Sequence, residues 1–145
     1  MINNFASNGK RKVALFGLGN LNSLARKAAA QLVADGFDVA VVNPRFTKPL
    51  DAGTHEFLGR AADVIVTLED HALMGGYGST VLELLSEKGI TTPVVRIGWP
   101  DQFIEHATSQ DELRRKYGLT AENAVAKVKA QLGDTSIVTK LTAVA

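Results

Sequence analysis

The residues best suited to chemistry stand at the end of an apolar run, where Asp63-Val64-Ile65-Val66-Thr67-Leu68 leads directly into Glu69-Asp70-His71. A carboxylate and an imidazole close together suit proton donation and acceptance, and open α/β sheets place ligands beyond the carboxyl ends of their strands. No Ser or Cys nucleophile arrangement accompanies them. The three histidines, His55, His71 and His106, lack the HxH or HExxH spacing of a metal site. The residue types leave an acid–base pair and a packing or interface role open. The second is the commoner fate of such residues.

Other polar and glycine-rich stretches lie at equivalent places. Gly17-Leu18-Gly19-Asn20 follows an apolar run, but Asn22 stands where a dinucleotide fingerprint needs its third small residue. The next strand closes on Asn43-Pro44 without an acid for a ribose, so a tight strand-to-helix turn is the expected role of these glycines. Arg45, Lys48 and Arg96 are cations near strand ends, suited to phosphate or to pairing with Asp51, Glu69 and Asp101. Gly75-Gly76-Tyr77-Gly78 forms a glycine-rich turn, and Trp99-Pro100-Asp101 with Phe103-Ile104 forms a stiff apolar one suited to packing or to a subunit interface. Ser23 and Ser79 are expected to head helices, whose N-termini would hold an anion if the chain were a free-standing binding module.

The elements that must position these residues alternate. Lys12–Phe16, Asp38–Asn43, Asp63–Leu68 and Pro93–Ile97 read as strands buried on both faces. Between them lie helices starting at Ser23, Asp51 (to Arg60) and Ser79 (to about Lys88), the first two capped by those residues. Ser109 with Glu112 spells a capping box for a helix to Tyr117, whose charge run over Asp111–Lys116 reads as a solvated face. Thr120 with Asn123 starts a last helix to Leu132. Residues 1–11 read as a linker or frayed terminus, 12–133 as one domain, and 134–145 as a tail. This pattern predicts a three-layer α/β fold, a mainly parallel sheet with helices on both faces.

Composition narrows the field. The 145 residues suit one domain, and a net charge of +1 gives no general attraction to nucleic acid or anionic membrane. The absence of cysteine excludes thiolate chemistry and disulfides and fits a reducing, cytoplasmic setting. No apolar run reaches the ~20 residues of a membrane helix, and Met1–Ser7 lacks the pattern of a secretory signal. Neither nucleic acid nor membrane is expected as a partner.

Three stretches in this order, Asn43-Pro44-Arg45-Phe46-Thr47-Lys48-Pro49-Leu50-Asp51, Val66-Thr67-Leu68-Glu69-Asp70-His71 through Gly75-Gly76-Tyr77-Gly78-Ser79, and Ile97-Gly98-Trp99-Pro100-Asp101-Gln102-Phe103-Ile104-Glu105-His106, carry a family resemblance. The chain resembles the C-terminal domain of the 1-deoxy-D-xylulose-5-phosphate synthases, within the transketolase-like thiamine diphosphate enzymes. The likeness covers roughly Lys12 to Leu132. The Gly-x-Pro-Asp-x-Phe-Ile-x-His string favours these synthases over transketolase or the 2-oxoacid dehydrogenase β subunit. Ala107 departs from the glycine usual in the family.

The resemblance implies a parent that condenses pyruvate with glyceraldehyde 3-phosphate, for isoprenoid and thiamine synthesis. In such a parent, thiamine diphosphate and Mg²⁺ belong to the preceding domains. Their GDG and NN signature is absent here, so no catalytic, cofactor or metal residue is carried onto this chain. The expected role is packing against those domains and ordering a homodimer. Its contact loops would contain Gly19, Asn20, Arg45, Lys48, Glu69, Asp70, His71, Gly75, Gly76, Tyr77, Gly78, Trp99, Asp101 and His106. A free-standing anion- or nucleotide-binding module is the competing reading.

Overall fold

A computed structural model describes residues 5–6, 8–105 and 108–133. His106, Ala107 and the expected tail lie outside the described residues. Strands β1 (Lys12–Gly17), β2 (Asp38–Val42), β3 (Val64–Ala72) and β4 (Val94–Trp99) form a parallel sheet in the order β2-β1-β3-β4. Their runs are apolar without interruption because both faces are covered. Val13 and Leu15 of β1, with Val64, Val66 and Leu68 of β3, pack on helices α1 (Asn22–Ala34) and α5 (Ala121–Gln131). Ala14, Phe16 and Ile65 point the other way, onto α2 (Ala52–Ala61) and α3 (Tyr77–Glu87). The three-layer α/β expectation is met.

Local signals explain most helix boundaries. Asp51 caps α2, accepting from Thr54 N–H at 3.1 Å and from Thr54 Oγ1 at 2.6 Å. The capping box of Ser109 and Glu112 opens α4 (Gln110–Tyr117), and Thr120 accepts from Asn123 N–H at 3.1 Å to open α5. Ser23, by contrast, does not cap α1. The helix starts one residue earlier, and Ser23 Oγ donates to the Asn20 carbonyl at 3.0 Å. A one-turn 3-10 helix over Gly19–Leu21 provides the entry instead. Gly17 allows this because a Cβ there would lie 2.7 Å from Asn22 Cα and 2.9 Å from Ala25 Cβ. The glycines do serve a close strand-to-helix turn.

Two boundaries differ from the sequence reading in ways that matter for function. Strand β3 does not stop at Leu68 but continues through Glu69-Asp70-His71 to Ala72. Leu68 pairs with Ile97 and Ala72 with Trp99, so Glu69, Asp70 and His71 together oppose Gly98 in an irregular bulge. Helix α3 begins at Tyr77, two residues before the expected Ser79. Among the described residues, no helix is long and apolar enough to cross a membrane.

Candidate functional site at the carboxyl ends of the strands

The strand order reverses between β1 and β3, and the turn after β1 is tied there by Leu18 N–H donating to the Leu68 carbonyl at 2.9 Å. The bulge in β3 sends its successive side chains to different places. Glu69 turns inward and is completely buried. Its carboxylate accepts from Tyr77 N–H at 2.5 Å and Gly78 N–H at 3.0 Å, and His71 Nδ1 lies 2.9 Å from it. These amides open α3, whose N-terminus carries partial positive charge, so the strand's own carboxylate occupies the helix's anion position. The external anion expected near Ser79 would find those donors taken. Ser79 itself turns its Oγ to the Leu73 carbonyl, 3.0 Å away.

The glycines around Glu69 supply room rather than flexibility. A Cβ on Gly76 would fall on the Glu69 carboxylate, and one on Gly78 would lie 2.5 Å from Thr67 Oγ1 and 3.0 Å from Glu69 Oε1. On β4, a Cβ at Gly98 would sit 3.0 Å from Glu69 Cγ. Arg96 closes this side, with Nη1 donating to the Leu73 carbonyl and to Ser79 Oγ, each at 3.1 Å. It therefore braces the turn instead of pairing with Glu69.

Asp70 gathers partners from distant elements. Oδ1 accepts from Trp99 Nε1 at 2.7 Å; Oδ2 accepts from Asn20 Nδ2 at 2.5 Å and Arg114 Nη2 at 2.7 Å. Burial pushes the Asp70 carboxyl up, but these three donors outweigh it and hold the group below its ordinary range. Trp99 meets Tyr117 edge to face at 5.8 Å. Helix α4 has no buried residue of its own, so Arg114 and Tyr117 are its ties to the sheet. The charge run is thus a solvated face except at Arg114, which turns inward.

Sequence reasoning also missed the interior partner of the glycine turn. Tyr77, expected among the contact loops, is fully buried. Its hydroxyl lies 2.6 Å from His55 Nε2, and His55 Nδ1 lies 2.6 Å from the Asp51 carbonyl. Because a carbonyl can only accept, Nδ1 carries the proton and Nε2 accepts from Tyr77. The ring stacks on Phe16 at 4.5 Å. Burial lowers the His55 pKa despite the Asp51 carbonyl and carboxylate, and burial with the charges of Glu69 and Asp51 raises that of Tyr77. A Tyr between glycines after a strand carries no local mark of burial. His55, in the middle of α2 opposite Phe16, carries none either.

The remaining expected residues stay at the surface. Arg45, Lys48 and His71 line an open cleft of about 680 Å³ between the β2–α2 and β3–α3 loops, with Phe46, Met74 and Gly75. Asp101 is exposed, and Trp99 is half-buried. Thiamine diphosphate and its metal would need a diphosphate cradle and clustered ligands. The α3 amides already serve Glu69, and the described residues contain no group of three or more potential metal ligands. These residues do not fit that cofactor.

Comparison with known proteins bears on this arrangement. The family model for the transketolase C-terminal domain matches residues 6–124. The chain is 51% identical over 115 residues to the 1-deoxy-D-xylulose-5-phosphate synthase of Methylacidiphilum infernorum, covering 79% of this chain and 18% of that protein. The synthase of Acidobacterium capsulatum is 48% identical over 123 residues, covering 83% and 19%. The chain therefore spans less than a fifth of these relatives. Among solved structures, a split gene transketolase, described as an inactive beta4 tetramer, superposes with a TM-score of 0.76 at 35% identity, covering 90% of this chain and 42% of that one. A 2-oxoglutarate:ferredoxin oxidoreductase from Magnetococcus marinus shares the fold alone, at a TM-score of 0.56 and 18% identity over 87% of this chain and 18% of that one. On the family match and the architecture together, the chain belongs to the transketolase C-terminal domain family.

Proposed function

We propose that this chain serves as the C-terminal domain of a 1-deoxy-D-xylulose-5-phosphate synthase and contributes no catalytic group to it. The parent is a cytoplasmic homodimer that joins pyruvate to glyceraldehyde 3-phosphate for isoprenoid and thiamine precursors. Its preceding domains hold thiamine diphosphate and Mg²⁺. This domain packs on them with the loops at the carboxyl ends of its strands. The observation that carries this reading is the placement of exposed apolar side chains. Phe46, Met74 and Phe103, 64%, 71% and 103% exposed, stand on the loops after β2, β3 and β4, hence at one end of the parallel sheet. Side chains of this size left in water at one end suit a partner surface.

Two measurements test the proposal. The purified 145-residue chain, given pyruvate, thiamine diphosphate and Mg²⁺, is expected to release no CO₂; release would overturn the non-catalytic role. In the intact parent, amides of the loops carrying Phe46, Met74 and Phe103 should exchange hydrogen more slowly than in the 145-residue chain alone. Equal exchange would sink the docking role.

A further inference from the structure

The asparagines of the chain differ in what surrounds the side-chain amide. An asparagine can close on the backbone nitrogen that follows it: a bond forms from that nitrogen to Cγ, ammonia leaves, and the resulting succinimide takes up water. Among the described residues, Asn20, Asn22, Asn43 and Asn123 are each held from this. Asn20 Nδ2 donates to Asp70 at 2.5 Å, and the next residue, Leu21, is buried in the core. Asn22 and Asn123 lie in α1 and α5, where the helix fixes the next nitrogen. Their side chains bind Arg26 Nε at 3.1 Å and the Gly118 carbonyl at 2.7 Å. Asn43 precedes Pro44, whose nitrogen has no proton to give up.

Asn8 has none of these restraints. It is exposed, as are Gly9 and Lys10, and it belongs to no helix or strand. Gly9 follows with φ at 71°, and a Cβ built there would meet nothing within 4 Å, so the approach to its nitrogen is open. Lys10 N–H donates to Asn8 Oδ1 at 3.1 Å, closing a turn that carries the side chain back over its own backbone. That oxygen gathers negative charge as Gly9 N adds to Cγ, so the Lys10 amide stands where the charge develops. We propose that Asn8 is a self-modification site, cyclising with Gly9 and opening to an aspartyl or isoaspartyl residue at position 8. Solvent base takes the Gly9 N–H proton. Nδ2 leaves with the electron pair of its bond to Cγ, takes up a proton and departs as ammonia. One water then opens the succinimide at either carbonyl. The product carries one more negative charge, which takes the formal net charge from +1 to zero. Position 8 lies between two anchors, Ala6 N–H on Asp38 Oδ2 at 2.6 Å and Lys12 N–H on Asp63 Oδ2 at 2.7 Å. The isoaspartyl form adds a methylene to the main chain between them. The reaction needs nothing from the docking role.

The test incubates the 145-residue chain at mildly alkaline pH and follows each asparagine by peptide mass spectrometry. Labelling by an isoaspartyl methyltransferase separates the two products. A mass gain of one dalton at Asn8, well ahead of Asn20, Asn22 and Asn123, is expected, with ammonia released in equal amount. Gly9→Ala should slow the reaction about tenfold or more, since a Cβ beside the attacking nitrogen then adds about 1.4 kcal/mol or more to the barrier. A parallel incubation in urea separates the fold from the local sequence. Asn8 should react in the folded chain at least as fast as in the unfolded one, whereas Asn22 and Asn123 should react faster once unfolded. An Asn8 that reacts more slowly in the folded chain than in urea overturns the proposal, as does an equal rate in Gly9→Ala.

Discussion

Replacing Glu69 by Gln keeps the shape of the side chain and removes its charge. Glu69 is fully buried, so solvent does not dilute the loss. If the amide oxygen takes the place of Oε2, facing Tyr77 N–H and His71 Nδ1, the amide nitrogen faces Gly78 N–H, donor against donor. Two hydrogen bonds to a charged acceptor, worth about 1.5–3 kcal/mol each, become at best one neutral bond of about 1 kcal/mol. The charge at the α3 N-terminus goes with them, another contribution of up to ~2 kcal/mol in a buried setting. These effects overlap, and Glu69→Gln is expected to cost about 3 kcal/mol, or roughly 10 °C in Tm for a domain of this size. Urea unfolding followed by far-UV circular dichroism, with the fluorescence of Trp99 as second probe, measures it. The midpoint should fall while the slope stays constant. A loss below about 1 kcal/mol would refute the reasoning that the carboxylate holds the helix start.

Thr67 Oγ1 is buried without a hydrogen-bond partner, so Thr67→Val should be neutral or stabilising by about 1 kcal/mol in the same unfolding assay. Gly78→Ala, whose Cβ would crowd that hydroxyl, should instead cost about 1–3 kcal/mol. Asp70→Asn and Arg114→Met should each destabilise the domain, and a double-mutant cycle should return a coupling of about 1–3 kcal/mol, since both partners are largely shielded from solvent. For His55, the unfolded chain takes up a proton near 6.5 while the buried ring, its pKa lowered, does not. This contribution is fully present above that pH and is lost as pH falls toward the folded pKa. Unfolding midpoints measured across that window should decline on acidification, and less steeply in His55→Gln; identical slopes would contradict it.

The parts legible in the sequence are those whose cause is local. Val39-Ala40-Val41-Val42 reads as a strand because both faces are covered. The Ser109 and Glu112 capping box needs only its own four residues. Arg114 reads as solvent-facing because its neighbours do, and its partner Asp70 lies 44 residues away. The bulge that redirects Glu69 and Asp70 depends on the register of β3 against β4, which no single segment encodes. Tyr77 looks like a surface residue between glycines until His55 is brought beneath it. Function followed the same division: the loop strings point to a family, while the burial of Glu69 depends on the assembled sheet.

The adjacent carboxylates on the β3 bulge also differ in when their partners become available during folding. Glu69 is bound by amides 8 and 9 residues along the chain, a short loop to close. Asp70 must wait for Asn20, Trp99 and Arg114, separated from it by 50, 29 and 44 residues. The first contact can form with the β3–α3 unit; the second exists only once four elements have met. Substitutions at Glu69 should therefore slow refolding, whereas those at Asp70 should chiefly speed unfolding. Stopped-flow rates for Glu69→Gln and Asp70→Asn would separate the two, and the reverse assignment would show that the bulge is built from its distant contacts inward.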